Sequence, residues 1–233
     1  EMGSEHLIFV PARIGSETII EKNQKLIGEW PLWRWAAEAG RFLGLQDPVV
    51  SSDSEELLDQ ARRQGFQVHV RPPHLNDGPV NDLIVNYVEG IGYKPEWVWL
   101  FQPTSPFVSR RTVEIVLSMT KNDRTASIQS VTALEHNCHW MNQREMQGFN
   151  LDFIFPIHRL ECGRKQDKPY VWRFGNLVVT RYEQMIEQGT MFATPSAPIE
   201  VTRWEAIDVD GPEDLMLARL LYKEGIVGCG SQF

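Results

Sequence analysis

Apolar positions along the chain change period repeatedly. The runs LIFV at 7 to 10 and EWVWLF at 96 to 101 are short and almost wholly apolar, as strands buried on both faces are. Between them, PLWRWAAEAGRFLG repeats its apolar residues Leu32, Trp35, Ala36, Ala39, Phe42 and Leu43 at helical spacing. Pro31 suits the first helical position and Gly44 the stop. PVVSS at 48 to 52 predicts a second strand, and Asp53 with Glu56 a capping box for a helix ending at Gly65. FQVHV predicts a third strand, after which the polar loop RPPHLNDGPVND leads to a helix over 82 to 91.

The loop QPTSPFV follows EWVWLF and precedes a predicted helix over 109 to 121 that starts at Ser109; the strand TASIQSV comes next. From 135 to 170 no period is sustained, so this stretch is expected to be an inserted arm or a lid. Regularity returns with YVWRFGNLVVT as a strand, a helix over 181 to 188, a short strand at 199 to 201, and AIDVD. A helix from Pro212 to Glu224, stopped by Gly225, closes the pattern. Strand and helix alternation of this kind predicts an α/β fold, a mostly parallel sheet with helices on both faces, in one domain over residues 7 to 225.

Composition narrows the partners. The 233 residues are 42% hydrophobic and contain no run near the roughly 18 apolar residues of a membrane span. A formal net charge of -8 repels polyanions, which argues against nucleic acid and anionic membrane, so an anionic ligand must meet a local basic cluster. Cys138, Cys162 and Cys229 are odd in number and form no CxxC pair. The opening EMGSEH lacks the basic start and apolar stretch of a signal peptide, and together these features predict a cytoplasmic protein.

Three segments carry candidate chemistry, and the first two lie at the expected carboxyl ends of strands, where ligands bind in open α/β sheets. PARIGSETIIEKN at 11 to 23 is neither a Walker A motif nor GxGxxG, yet it sets Arg13 and Lys22 at the two ends of a turn containing Gly15 and Ser16, with Asn23 adjacent. Backbone N–H groups there could wrap phosphate oxygens while Arg13 clamps them and Lys22 adds a point charge; the alternative is a solvated loop. QPTSP offers Gln102, Thr104 and Ser105 as neutral partners for sugar hydroxyls. In AIDVDGPEDL, Asp208 and Asp210 fall on one side of an extended segment and could hold Mg2+, unless Asp210 only caps the last helix. Glu213 and Asp214 belong in that helix's first turn. HNCH, with His136, Cys138 and His139, lacks the second ligand pair of a zinc finger, and no GxSxG nucleophile elbow is present.

Taken in order, PAR..GS......KN, VVSSD, RP...L, QPTSP and IDVDGPEDL resemble the cytidylyltransferases that activate nine-carbon and eight-carbon keto-sugar acids, above all the N-acylneuraminate (CMP-sialic acid) synthetases with the related CMP-nonulosonate and CMP-Kdo synthetases. The resemblance spans residues 7 to 222. It implies a Rossmann-like sheet with a projecting dimerisation arm at 135 to 170, and a Mg2+-dependent reaction of CTP with a nonulosonate that yields the CMP-sugar and pyrophosphate. It further implies that Ala12, Arg13, Ser16, Lys22, Asn23 and Arg71 bind the nucleotide, and that Asp208 and Asp210 bind Mg2+. Gln102, Thr104, Lys165, Gln166, Arg173 and Asn176 would bind the sugar, and Arg13, Lys22 and Asp210 would carry catalysis. The alternatives are another acceptor, such as a sugar 1-phosphate, or a nucleotide-binding homologue without turnover. There are four departures from the family pattern: Ile14 replaces glycine, Glu17 replaces lysine, Lys165-Gln166 replaces Arg-Gln, and Gly175-Asn176 inverts Asn-Gly.

Overall fold

A computed structural model describes residues 5–15 and 18–228. Strand β1, His6–Pro11, is followed by the opening loop, a 3-10 turn at Lys22–Gln24, and a tight hairpin of β2, Leu26–Ile27, and β3, Trp30–Pro31. Helix α1, Leu32–Arg41, leads to β4, Val49–Ser52, then α2, Glu55–Arg63, β5, Gln67–Val70, α3, Val80–Ile91, and β6, Trp97–Phe101. Next come α4, Arg110–Met119, and β7, Ser127–Ala133. The excursion holds a hairpin of β8, Arg144–Gln147, and β9, Asn150–Phe153, with the short α5, Pro156–Glu161. The chain returns through β10, Trp172–Arg181, α6, Tyr182–Gln188, β11, Ser196–Glu200, and α7, Pro212–Lys223.

The seven-stranded sheet has the order β11-β7-β10-β6-β1-β4-β5. Only β10 runs antiparallel to its neighbours, so the sheet is mostly parallel as the alternation predicts. The strands read as unbroken apolar runs because both faces are covered. Ile8 and Val10 of β1, with Trp97, Trp99 and Phe101 of β6, pack beneath α1, α2 and α4. Leu7 and Phe9, with Val98 and Leu100, pack against α3 and α6. Phe9 and Trp99 are fully buried, and truncating either to alanine costs about 3–5 kcal/mol.

Several boundaries differ from expectation. The cap of α2 is Ser54, whose hydroxyl accepts from the Leu57 N–H at 3.3 Å, and not Asp53, which is drawn away to the opening loop. Pro31 ends β3 and stands before α1 rather than as its first residue. The β2/β3 hairpin escapes sequence reading because two-residue strands show no period. AIDVD forms no regular element; Val209 anchors it by filling a third cluster with Trp35, Phe107 and Leu215.

Candidate active site at the carboxyl edge

The end of β1 delivers the opening loop to the carboxyl edge, where three hydrogen bonds pin it. The Ala12 N–H donates to the Ser51 carbonyl at 2.7 Å, and Ala12 itself is buried in the core. The Ile14 N–H donates to Asp53 Oδ1 at 2.9 Å, and Asn23 Nδ2 donates to the Arg13 carbonyl at 2.6 Å. Glu21 takes a left-handed conformation, φ 52°, unfavourable for a residue with a Cβ. It precedes the 3-10 turn that begins at Lys22, whose side chain reaches a cleft of about 560 Å3.

Arg13, Lys22 and Asn23 line this cleft from one side, Gln102 and Thr104 from the second, and Asp208 and Asp210 from the third. Lys22 Nζ stands 3.3 Å from Asp210 Oδ1, and Lys22 is the more buried partner. The Val209 N–H donates to the Thr104 carbonyl at 2.7 Å, which ties the acidic segment to the QPTSP loop. With Val209 turned inward, Asp208 and Asp210 share the opposite side. Burial raises the Asp208 carboxyl above its ordinary value and the charge of Asp210 adds to this, while a hydrogen bond with Thr104 opposes both. Asp210 is not the helix cap: the Asp214 carboxylate takes that part, accepting from the N–H groups of Asp210 and Gly211 at 3.1 and 2.8 Å.

A second recess of about 330 Å3 adjoins the first through Pro11 and Arg13 and is lined also by Arg71, Asn76, Asp77 and Gly78. Arg71 is buried, and its Nη2 donates to the Leu75 and Asn76 carbonyls at 2.9 and 3.0 Å, folding the RPPHLND loop over the recess. Desolvation lowers the Arg71 guanidinium from its ordinary value, with Arg13 contributing. Arg13 Nη1 meets Asp77 Oδ1 at 2.9 Å and the Asn76 carbonyl at 3.2 Å. The sequence marks Asp53 only as a helix cap and does not mark Asp77 at all. Their signal is positional, since each follows a strand whose end faces this edge.

Ser16 and Glu17 fall outside the described residues. Lys165 and Gln166 are exposed on a 3-10 turn of the excursion, away from the cleft lining. Arg173 is half-buried and donates to the Ala206 carbonyl at 3.2 Å, and Asn176 is fully buried behind the cleft wall. Among the described residues no group of three or more His, Cys, Asp or Glu could hold a metal, HNCH included. Nor is any helix among them long and apolar enough to cross a membrane.

A family model described as cytidylyltransferase matches residues 7–146. The CMP-N,N'-diacetyllegionaminic acid synthase of Legionella pneumophila is 27% identical over 226 residues, covering 92% of this chain and 95% of that protein. A pseudaminic acid cytidylyltransferase of Campylobacter jejuni is 24% identical, covering 94% of this chain and 97% of that one. Among solved structures, a CMP:2-keto-3-deoxy-manno-octonic acid synthetase complexed with CTP superposes with a TM-score of 0.71 at 17% identity, over 95% of this chain and 99% of that chain, and so shares the fold.

Proposed function

The chain belongs to the cytidylyltransferase family, and on that premise we propose that it joins CMP from CTP to a sialic-acid-like nonulosonate, releasing pyrophosphate. The observation that carries this reading is the meeting of Arg13 and Lys22 with Asp208 and Asp210 across one cleft, beside the neutral Gln102 and Thr104. The names of the relatives, which are synthases and cytidylyltransferases of legionaminic and pseudaminic acid, support the acceptor class.

Mg2+ fits the acidic pair. Two hard carboxylates, Asp208 and Asp210, line the same cleft and would hold the ion, and two protein ligands would leave room for water and phosphate oxygens. When bound by Asp208 and Asp210, Mg2+ supplies Lewis-acid neutralisation of the reacting phosphate.

The remaining chemistry is assigned to side chains. Arg13 clamps the triphosphate, and Lys22 faces the charge that grows on departing pyrophosphate. Arg71 and its recess receive the cytosine, while Gln102 and Thr104 hold hydroxyls of the sugar or ribose. The anomeric oxygen bonds to the α-phosphorus in line, the bond to the bridging oxygen breaks, and the hydroxyl proton leaves to solvent. Positioning and neutralisation suffice for such a displacement, in keeping with a site that carries no nucleophile signature.

The excursion supports a homodimer. Met146, Phe149 and Leu151 on its hairpin and Ile157 and Leu160 on α5 are exposed, and a second copy of the chain would cover them. Free thiols at Cys138 and Cys162 fit a cytoplasmic setting. Measuring pyrophosphate release from CTP, UTP, GTP and ATP against nonulosonates and sugar phosphates tests the reading. Release is expected with CTP and a nonulosonate, whereas release with UTP or GTP and a sugar phosphate would refute it.

A further inference from the structure

The segment bearing Asp208 and Asp210 has no regular structure, yet Glu205, just before it, is held from behind by both its main chain and its side chain. Strand β10 carries a bulge between Phe174 and Val178. At Gly175 a Cβ would lie 2.7 Å from Ser130 Oγ and 2.9 Å from Val201 Cγ2, so only glycine lets the strand pass this close. Ser130 Oγ accepts from the N–H groups of Asn176 and Leu177, both at 2.8 Å, and donates to Asn176 Oδ1 at 2.8 Å. The bulge thereby re-aims Asn176 inward, where its Nδ2 donates to the Glu205 carbonyl at 3.0 Å.

Glu205 is a buried carboxylate, and Asp208 follows three residues later. Its Oε1 accepts from the Ser109 N–H at 2.9 Å and from Thr112 Oγ1 at 2.7 Å, at the N-terminus of α4, whose dipole favours the charge. One amide therefore grips the Glu205 main chain while a helix end grips its side chain. Neither Asn176 nor Glu205 lines the cleft.

We infer that Asn176 and Glu205 are positioning residues, which fix the acidic segment so that Asp208 and Asp210 meet a divalent cation in one geometry. The inference rests on the proposed Mg2+-dependent transfer. It gives Asn176 a part different from the sugar contact that the family pattern implies. Magnesium demands near-ideal octahedral geometry, and a site with two protein ligands depends on their placement more than one with four. Groups that orient metal ligands from behind are worth about 10–100-fold in metal affinity.

The test is Mn2+ binding to the CTP-loaded protein, followed by electron paramagnetic resonance, together with the steady-state constants. Asn176→Ala and Glu205→Ala are expected to weaken Mn2+ by about 10–100-fold, in proportion to other orienting groups. KM for CTP at saturating Mg2+ should stay within about twofold, since the phosphate contacts are untouched. Glu205→Gln, whose amide oxygen still accepts from Ser109 and Thr112, should recover most of the affinity. Folded alanine variants that bind Mn2+ like the wild type would overturn the inference. If the alanine variants do not fold, Thr112→Val removes one donor to Glu205 at nearly constant volume; a several-fold loss is expected, and no loss overturns the inference. Wild-type protein that binds no Mn2+ with CTP would overturn the metal reading as well, whereas binding that is unchanged in every variant overturns this inference alone.

Discussion

Lys22 and Asp210, separated by nearly the whole chain, meet at 3.3 Å across the cleft. The contact closes the site by joining the loop after β1 to the segment before α7. The ammonium and the carboxylate satisfy each other. In the proposed reaction each serves another charge, pyrophosphate for Lys22 and Mg2+ for Asp210. Asp210→Ala should therefore cut kcat/KM by about 100-fold or more, the usual effect of removing an electrostatic contact to the transition state. Asp210 is largely exposed, so stability should change by less than about 1 kcal/mol. Near-wild-type turnover in this variant would remove Asp210 from the site.

Arg13 is paired in the same way, with Asp77 at 2.9 Å. In the proposed reaction a phosphate would displace that carboxylate or share the guanidinium with it. Asp77→Asn should tighten CTP by about 1.5- to 5-fold, the equivalent of an exposed ion pair worth roughly 0.2–1 kcal/mol. The gain should shrink as salt approaches 1 M, where the screening length is about 3 Å. Weaker CTP binding in Asp77→Asn would instead show that Asp77 orients Arg13 for the ligand.

Gly175→Ala tests the close approach of β10 to β7. Its methyl group would press on Ser130, including the main-chain carbon at 3.0 Å. Destabilisation of about 1–3 kcal/mol is expected, as for other overpacked sites, and urea denaturation would measure it. Unchanged stability would mean that the bulge relaxes freely.

His6 and His69 should make the fold sensitive to acid. Desolvation lowers both below the ordinary 6.5; nearby Glu5 and Glu96 partly offset this at His6, and the Asn86 hydrogen bond does so at His69. His6 Nδ1 accepts from Trp99 Nε1 at 3.0 Å, a bond that the protonated ring cannot receive. The unfolded chain thus binds protons more readily at these sites, so their contribution to stability is full above pH 6.5 and is lost as pH falls through the folded values. Comparing urea midpoints at pH 7.5 and pH 5, His69→Gln should show a smaller loss than wild type. Equal losses would mean that His69 does not titrate differently on folding.

Much of this architecture is legible in the sequence because its signals are local. The apolar runs of β1 and β6, the Ser109 start of α4 and the Gly225 end of α7 each follow from a few neighbouring residues. Arg13, Lys22, Gln102, Thr104, Asp208 and Asp210 could be singled out because each sits in a loop just past an apolar run or before the last helix, and the sheet gathers those loops at one edge. What stayed hidden depends on long-range pairing. Asp53 looks like a helix cap until the loop after β1 is seen to take its carboxylate. Nor does the sequence around Asn176 show the bulge that sets its amide against the Glu205 carbonyl. The Arg13 and Asp77 pair spans two crossovers, which no local period encodes.

The most direct test of the central claim is 31P nuclear magnetic resonance of the protein incubated with CTP, Mg2+ and a nine-carbon 2-keto sugar acid. The account predicts a new phosphodiester signal from the CMP-sugar and inorganic pyrophosphate in equal amounts, both dependent on CTP and on the sugar acid. Loss of CTP without a phosphodiester, or product formed only from another nucleotide and a sugar phosphate, would contradict it.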